Sequence, residues 1–385
     1  MLPARGRPFL AVAILLCALL AGGAVRRAQD TCGPFTDVSA LFCPYVLEAY
    51  YTGITAGTSP TTFSPDVPIT RGQAAVFTTK ALNQALARGS RRAALGQWWI
   101  PQSFNLSIVR VDGPGFPVSD GADVWVPLNG GGVERIRASD GRLLDTWTGA
   151  QGASSVLVAM GRVFAVGGGS PGKLYVIDPS QPAGALKPVA DLGINPLAMV
   201  FDGGRIWVVN AGSGGANSTI SIVQPGVWTV TSVPGFAGLG GVLFDGSNIW
   251  VTDNFSLLKL DSAGAVLQTI DFPIEARFPV FDGANIWVPT SNGAPGAVEV
   301  VQASTGTVIQ TLVPPEGIDQ SLFAAAFDGQ RVLVTDSQGL KVYIWNAASL
   351  AYQGSHDVPS SAFRPCSDGV NFWLPMRDTG QLARF

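Results

Sequence analysis

Charge is scarce in this chain. Only 13% of its 385 residues are charged, and 24 Lys and Arg against 27 Asp and Glu leave a net charge of −3. A nucleic-acid partner needs a basic face, so that class is set aside. Histidine occurs once, at His356. A Ser-His-Asp arrangement would have to use that one residue, which reads as a lone exposed histidine on an outer strand or its exit loop. The four cysteines (Cys17, Cys32, Cys43 and Cys366) show no metal-ligand spacing. No glycine loop has a phosphate-binding context.

Long apolar runs are also missing, with one exception at the N-terminus. Arg5 and Arg7 precede the run Phe9 to Leu20, which is short for a membrane span, and the small residues Ala21 to Ala24 follow. Residues 1–24 therefore read as a signal peptide, with an uncleaved anchor as the alternative. Cys17 follows Leu16 inside the run, a poor fit to a lipoprotein cleavage site. Export implies an oxidising compartment. Cys32 and Cys43, which bracket a short segment, are expected to pair, leaving Cys366 as a small hydrophobe of the last repeat.

Glycine and proline are abundant, at 47 and 27 residues, as in a turn-rich β-protein. A phrase recurs: Asp-Gly, a short polar gap, then Ile-Trp-Val or a variant. It stands at Asp120…Trp125, Asp202…Trp207, Asp245…Trp250, Asp282…Trp287 and Asp368…Trp373, with Asp328…Leu333 and Gly161…Phe164 as weaker copies. The central positions 125, 164, 207, 250, 287, 333 and 373 are spaced by 37 to 46 residues. A period near 40 built from short strands is the signature of a β-propeller with one repeat per blade. Asp-Gly between β-rich runs predicts type I′ hairpins, which assigns the recurring Asp to turn formation. The alternating Trp residues are expected to pack between blades.

The seventh repeat ends one strand short at Phe385, while Phe104 to Val111 is a strand with no other assignment. We expect residues 104–111 to supply the outermost strand of the last blade and to close a seven-bladed ring over 104–385. The loops after each second strand then lie on one face, where ligands usually bind. They offer Asn210, Asp253, Asn254, Asn292, Asp336 and Asp378 as candidate rim residues. These are turn formers as often as ligands.

Residues 31–86 differ in texture. A helix-period stretch runs from Leu41 to Tyr51, a Gly- and Pro-rich middle follows, and Ile69-Thr-Arg-Gly-Gln73 leads into the apolar face of Ala74 to Leu86. Thr70 and Gln73 form a capping-box pattern. Residues 87–103 read as a linker.

In order, this segment holds Phe35-Thr-Asp-Val38, Gly53-Ile54…Gly57, Phe63-Ser-Pro65 and Thr70-Arg-Gly-Gln73. It resembles an S-layer homology (SLH) module. That resemblance implies an exported bacterial protein held non-covalently to cell-wall polysaccharide, with Arg71 on an anionic or hydroxyl-rich sugar and Thr70 and Gln73 beside it. A single module and Gln73 in place of the usual acidic residue depart from the family pattern. The repeats look like those of YVTN/YncE-type and streptogramin-lyase-type propellers. The lyases work with a His and an acidic residue near a bound cation, which this chain's single His does not match.

The expected fold is thus mainly β, a seven-bladed propeller behind a small α-helical SLH-like domain. The expected function is an envelope-tethered, non-catalytic propeller that binds a protein or glycan partner. The alternative is a propeller lyase or hydrolase with its site in the mouth loops. No cofactor is implied, with calcium at a loop site the one alternative carried.

Overall fold

The computed structural model describes residues 32, 34–39, 42–51, 54–87, 107–213, 217–291, 296–317 and 321–385. The expected signal peptide lies outside them, as does the expected linker apart from Ala87. The chain divides into two compact units, residues 1–88 and 89–385.

The first unit carries two helices, α1 (Cys43–Tyr51) and α2 (Arg71–Ala87). Among the described residues its core is small: Cys32, Phe35 and Val46 are buried, with Tyr50 and Phe63 packed on them. The Phe35 ring lies 5.2 Å from that of Tyr50 and 5.7 Å from that of Phe63. So few buried side chains hold a fold poorly on their own, and a disulfide between Cys32 and Cys43 ties the entry segment to α1. Closing an 11-residue separation stabilises by roughly 2–3 kcal/mol in the chain-entropy account. Gly57 takes φ +79°, and a Cβ there would sit 2.5 Å from the Phe35 ring and 2.6 Å from the Thr62 carbonyl. Only glycine fits both constraints.

The second unit is seven four-stranded antiparallel sheets. Blade 1 consists of Val118–Ser119, Asp123–Leu128, Gly132–Arg137 and Leu143–Thr148. Blades 2 to 6 span 153–192, 196–236, 239–271, 280–312 and 322–357. Blade 7 takes three strands from Cys366–Ser367, Phe372–Met376 and Gln381–Arg384. Its outermost strand is Ser107–Arg110, which pairs antiparallel with Gln381–Arg384, Ser107 opposite Arg384. First strands of neighbouring blades touch, including those of blades 7 and 1, so the ring is closed. Second strands are almost wholly buried, whereas outer strands such as Thr307–Leu312 are mostly exposed.

Apolar side chains alternate between the two faces of each blade. Trp250 packs toward blade 5, against Ile286, Val288 and Val301. Its flanking residues Ile249 and Val251 pack the other way, toward Trp207 and Ile220 of blade 3. The same arrangement puts Trp125 between blades 1 and 2 and Trp287 between blades 5 and 6. Trp373 fills the gap across the closure, against Val124, Val126 and Ile136 of blade 1. Cys366 packs at the edge of that cluster as a free, half-buried thiol.

The Asp-Gly hairpins are not type I′. Gly121, Gly203, Gly246, Gly283, Gly329 and Gly369 have φ between +84° and +102°, but neither the preceding Asp nor the following residue is left-handed. The Asp carboxylate supplies what the expected turn type does not. In blade 4, Asp245 Oδ1 accepts the backbone N–H groups of Ser247 and Asn248, both at 2.7 Å. Its Oδ2 accepts the indole Nε1–H of Trp250 at 2.7 Å. Asp120, Asp202, Asp282 and Asp368 accept their Trp indoles in the same way, at 2.7–2.9 Å. Asp and Trp therefore form one unit that closes the hairpin and satisfies a buried polar N–H. Blade 6 has Leu333 instead of Trp, and there Asp328 Oδ2 accepts from Arg331 Nε at 2.8 Å.

Candidate functional site

Two places collect residues that could meet a ligand, one in each unit. In the first unit a groove of about 590 Å³ runs between the Gly- and Pro-rich loop and α2. Phe63, Val67, Ile69 and Val76 give it apolar walls, with Thr70, Gln73 and Lys80 as polar lining. Thr70 and Gln73 form the expected capping box: the Thr70 N–H donates to Gln73 Oε1 at 2.8 Å, and the Gln73 N–H donates to Thr70 Oγ1 at 3.2 Å. Arg71 opens α2 and is exposed, but it is not among the groove-lining residues.

Asp37 links two of the sequence elements by chemistry. Its carboxylate accepts the N–H groups of Phe63 at 2.9 Å and Ser64 at 2.7 Å. These bonds, that of Phe63 foremost, hold its pKa below the usual carboxylate value. The Phe-x-Asp start thus clamps the Phe-x-Pro step, and so shapes one wall of the groove.

In the propeller, the expected rim residues divide by environment. Asn210 is fully buried, and its Nδ2 donates to Thr219 O at 3.1 Å and Ser221 Oγ at 3.0 Å. Asp253 caps the loop into blade 4, accepting from the Ala237 and Gly238 N–H groups. Asp336 is buried and accepts from Ser321, Gln338 and Gly339 N–H groups. Asp378 is exposed on a short 3₁₀ turn, Arg377–Thr379. Asn292 lies outside the described residues. Of the six, Asn254 alone lines the cavity described next. His356 is half-buried rather than exposed, because its ring packs on Phe385 at 5.1 Å, and burial lowers its pKa.

That cavity, of about 550 Å³, opens where the chain enters the first strands and leaves the second ones. The entry segments of blades 1 and 5 run beside the first strand of the next blade: Phe116 bridges Ser155 and Phe278 bridges Ala324, both parallel. Pro117 and Pro279 follow those two Phe residues and hold them in extended backbone. The result is an aromatic chain across the channel. Phe116–Phe278, Phe278–Phe323 and Phe323–Phe363 centroids are 5.2, 5.0 and 5.3 Å apart.

Arginines cover these rings. The Arg377 guanidinium stands 5.0 Å from the Phe363 centroid and 5.8 Å from that of Phe116, and Arg364 stands 5.6 Å from that of Phe278. Burial lowers the pKa of both, that of Arg364 to about 10, and a guanidinium is not deprotonated in proteins at neutral pH. Arg277 pairs with Glu275 at 2.8 Å.

Sequence reasoning missed this set. The signal is the Phe-Pro or Phe-x-Pro step just before the first strand in blades 1, 5 and 7, at Phe116-Pro117, Phe278-Pro279 and Phe363-Arg364-Pro365.

Comparison with known proteins bears on both units. Residues 34–75 match the S-layer homology domain. An S-layer homology domain therefore precedes the propeller in this chain. No curated protein matches it. Among solved structures, Kuenenia stuttgartiensis hydrazine synthase is similar at TM-score 0.62 and 14% identity, over 74% of this chain and 98% of that one. The WD40 β-propeller domain of Doa1 is similar at TM-score 0.58 and 14% identity, over 72% and 95%. The β-propeller domain of Cps50 (Swd1) from Myceliophteria thermophila gives TM-score 0.58 at 8% identity, over 73% and 99%. At such identities the likeness is one of fold alone.

Proposed function

We propose that this protein is an exported bacterial cell-envelope protein. In this reading its S-layer homology domain holds it to wall polysaccharide, and its propeller presents a rigid, non-catalytic binding surface for a protein or glycan partner. The S-layer homology match at residues 34–75 carries the reading, since that domain implies envelope association. The Cys32–Cys43 disulfide is compatible with an exported protein. The propeller repeats are read as YVTN/YncE-like on their Asp-Gly…Ile-Trp-Val phrase.

The groove along the start of α2 is the proposed glycan contact. Thr70 and Gln73 line it with their capping box formed, and the exposed Arg71 guanidinium stands next to it with no ion pair among the described residues. An Arg fork pairs bidentately with carboxylate-type groups on an acidic sugar. One module makes few contacts, so presentation of several copies at a surface would strengthen retention.

Sedimentation with purified cell-wall sacculi tests the reading. The full chain should pellet with the sacculi, and a chain lacking residues 32–87 should stay in the supernatant. Arg71→Ala should weaken retention without changing thermal stability, because the residue is exposed. Equal pelleting of the full and shortened chains removes the anchoring role.

A further inference from the structure

The propeller cavity has features that a structural role does not use. Its floor is apolar, built from Phe116, Phe323 and Phe363. In a closed ring such side chains could have met one another and excluded charge. Instead a guanidinium lies over two of them. Stacking on Phe116 and Phe363 fixes the plane of Arg377 while leaving the edge of the fork available. Among the described residues its hydrogen bond is a long one, from Nε to the Pro114 carbonyl at 3.4 Å. Among the described residues neither Arg377 nor Arg364 forms a salt bridge.

Charge within the cavity restricts the ligand further. Arg277, Arg377 and Glu275 line it, and the Arg277–Glu275 pair at 2.8 Å cancels. Asp378 is exposed beside Arg377 in sequence but is not part of the lining. Among the described residues Arg377 is left as the unpaired cation of the lining, and Arg364, outside the lining but over the Phe278 ring, adds a second positive charge beside the apolar floor. Positive charge over an apolar floor favours an anion carried on an apolar body over inorganic phosphate, which has no apolar part to bury. A volume of about 550 Å³ falls in the range of small-ligand sites, where a few polar groups orient an otherwise apolar body.

We propose that the mouth cavity of the propeller binds a ligand that joins a single carboxylate to an apolar body, with the Arg377 fork on the carboxylate and Phe323 and Phe363 against the body. The inference rests on the propeller being a binding surface and is independent of how the chain is anchored.

Titration calorimetry on the purified full chain tests it, with 3-phenylpropanoate, its neutral amide 3-phenylpropanamide, and inorganic phosphate. The carboxylate should bind on the order of tenfold to a hundredfold more tightly than the amide, the usual worth of a charged fork. Phosphate should not compete. Arg377→Gln should abolish the preference for carboxylate over amide, and Arg377→Lys should keep part of it, with circular dichroism checking that each variant is folded.

A peptide ending in Phe with a free C-terminus, compared with its amidated form, identifies the source. If it binds tenfold tighter than phenylpropanoate, the partner is a chain terminus; otherwise it is a small free acid. Equal binding of phenylpropanoate and its amide to the unmodified chain overturns the proposal, whatever the variants do. So does an Arg377→Gln protein that folds and keeps the preference. Because sacculus retention is read separately, loss of anchoring leaves this result standing.

Discussion

The two ends of the propeller are built on opposite plans. At the hairpin end, six of seven blades use an Asp carboxylate to hold two backbone N–H groups, and in five it also holds a Trp indole. At the mouth end, Asp253, Asp336 and Asn210 each satisfy a different local set of donors or acceptors, and the channel is filled by Phe and Arg. Repetition at one end reflects a demand every blade shares, to close a hairpin and fill the gap to its neighbour. Divergence at the other end leaves room for chemistry particular to this chain. Blades 2 and 6 sharpen the point. Blade 2 has no Asp at its turn and Phe164 in place of Trp, while blade 6 keeps Asp328 but redirects it to Arg331 once Leu333 replaces Trp. Asp and Trp are coupled, and where the indole is gone the carboxylate takes another partner.

Trp250→Ala should therefore have the largest effect. It empties a fully buried site between blades 4 and 5 and should cost about 3–5 kcal/mol, read as a lower denaturant midpoint. Phe323→Ala at the mouth, where the ring is only partly buried, should cost about 1–2 kcal/mol. Equal losses for the two would end the division of labour between the ends.

The fold was legible because repetition multiplies a weak signal. One Asp-Gly…Ile-Trp-Val means little, but seven copies near a 40-residue period define a ring, and the short seventh repeat calls for a strand from elsewhere. The Asp–Trp bond was not legible, since residues five apart meet only after the hairpin has folded. Asn210 and Asp336 are candidate rim residues because they stand where second strands end, yet each is the buried last residue of its strand and is used on backbone and neighbouring side chains. Phe116 and Phe278 stand outside the repeated phrase, and it is their parallel bridges to the next blade that carry them into the channel. In the first unit the Thr70–Gln73 box was readable from spacing alone, because a helix start is a local structure.

Asp245→Ala separates the carboxylate from the ring it serves. It strips acceptors from Ser247 N, Asn248 N and the Trp250 indole, leaving a buried donor unsatisfied, and should cost about 2 kcal/mol. Asp378→Ala, exposed at the mouth end, should stay within about 0.5 kcal/mol of wild type. If Asp378→Ala proved the more damaging, the assignment of stability to the hairpin end would fail.

The smallest effect expected is one of pH, and its sign follows from the same turns. For Asp120 and Asp202 burial alone would raise the pKa, but the Trp125 or Trp207 indole and the backbone N–H groups together outweigh it, so both fall below the ordinary carboxylate value of 3.8. A carboxylate with a depressed folded pKa contributes stability that is fully present above its unfolded pKa and is lost as pH falls through the folded one. Most of the acid loss should thus lie below pH 3.8. His356, lowered by burial from 6.5, adds a slight decline that begins as pH drops past that value. Glu134 works in the opposite sense: burial, and then Asp112, raise its pKa above 4.5, so protonating it relieves the folded state. Asp202→Asn should flatten the profile below pH 3.8, at some cost at neutral pH. A melting-temperature series from pH 7 to 2.5 in which wild type and Asp202→Asn ran parallel would show that the carboxylate's charge, as distinct from its acceptor geometry, adds nothing to the hairpin.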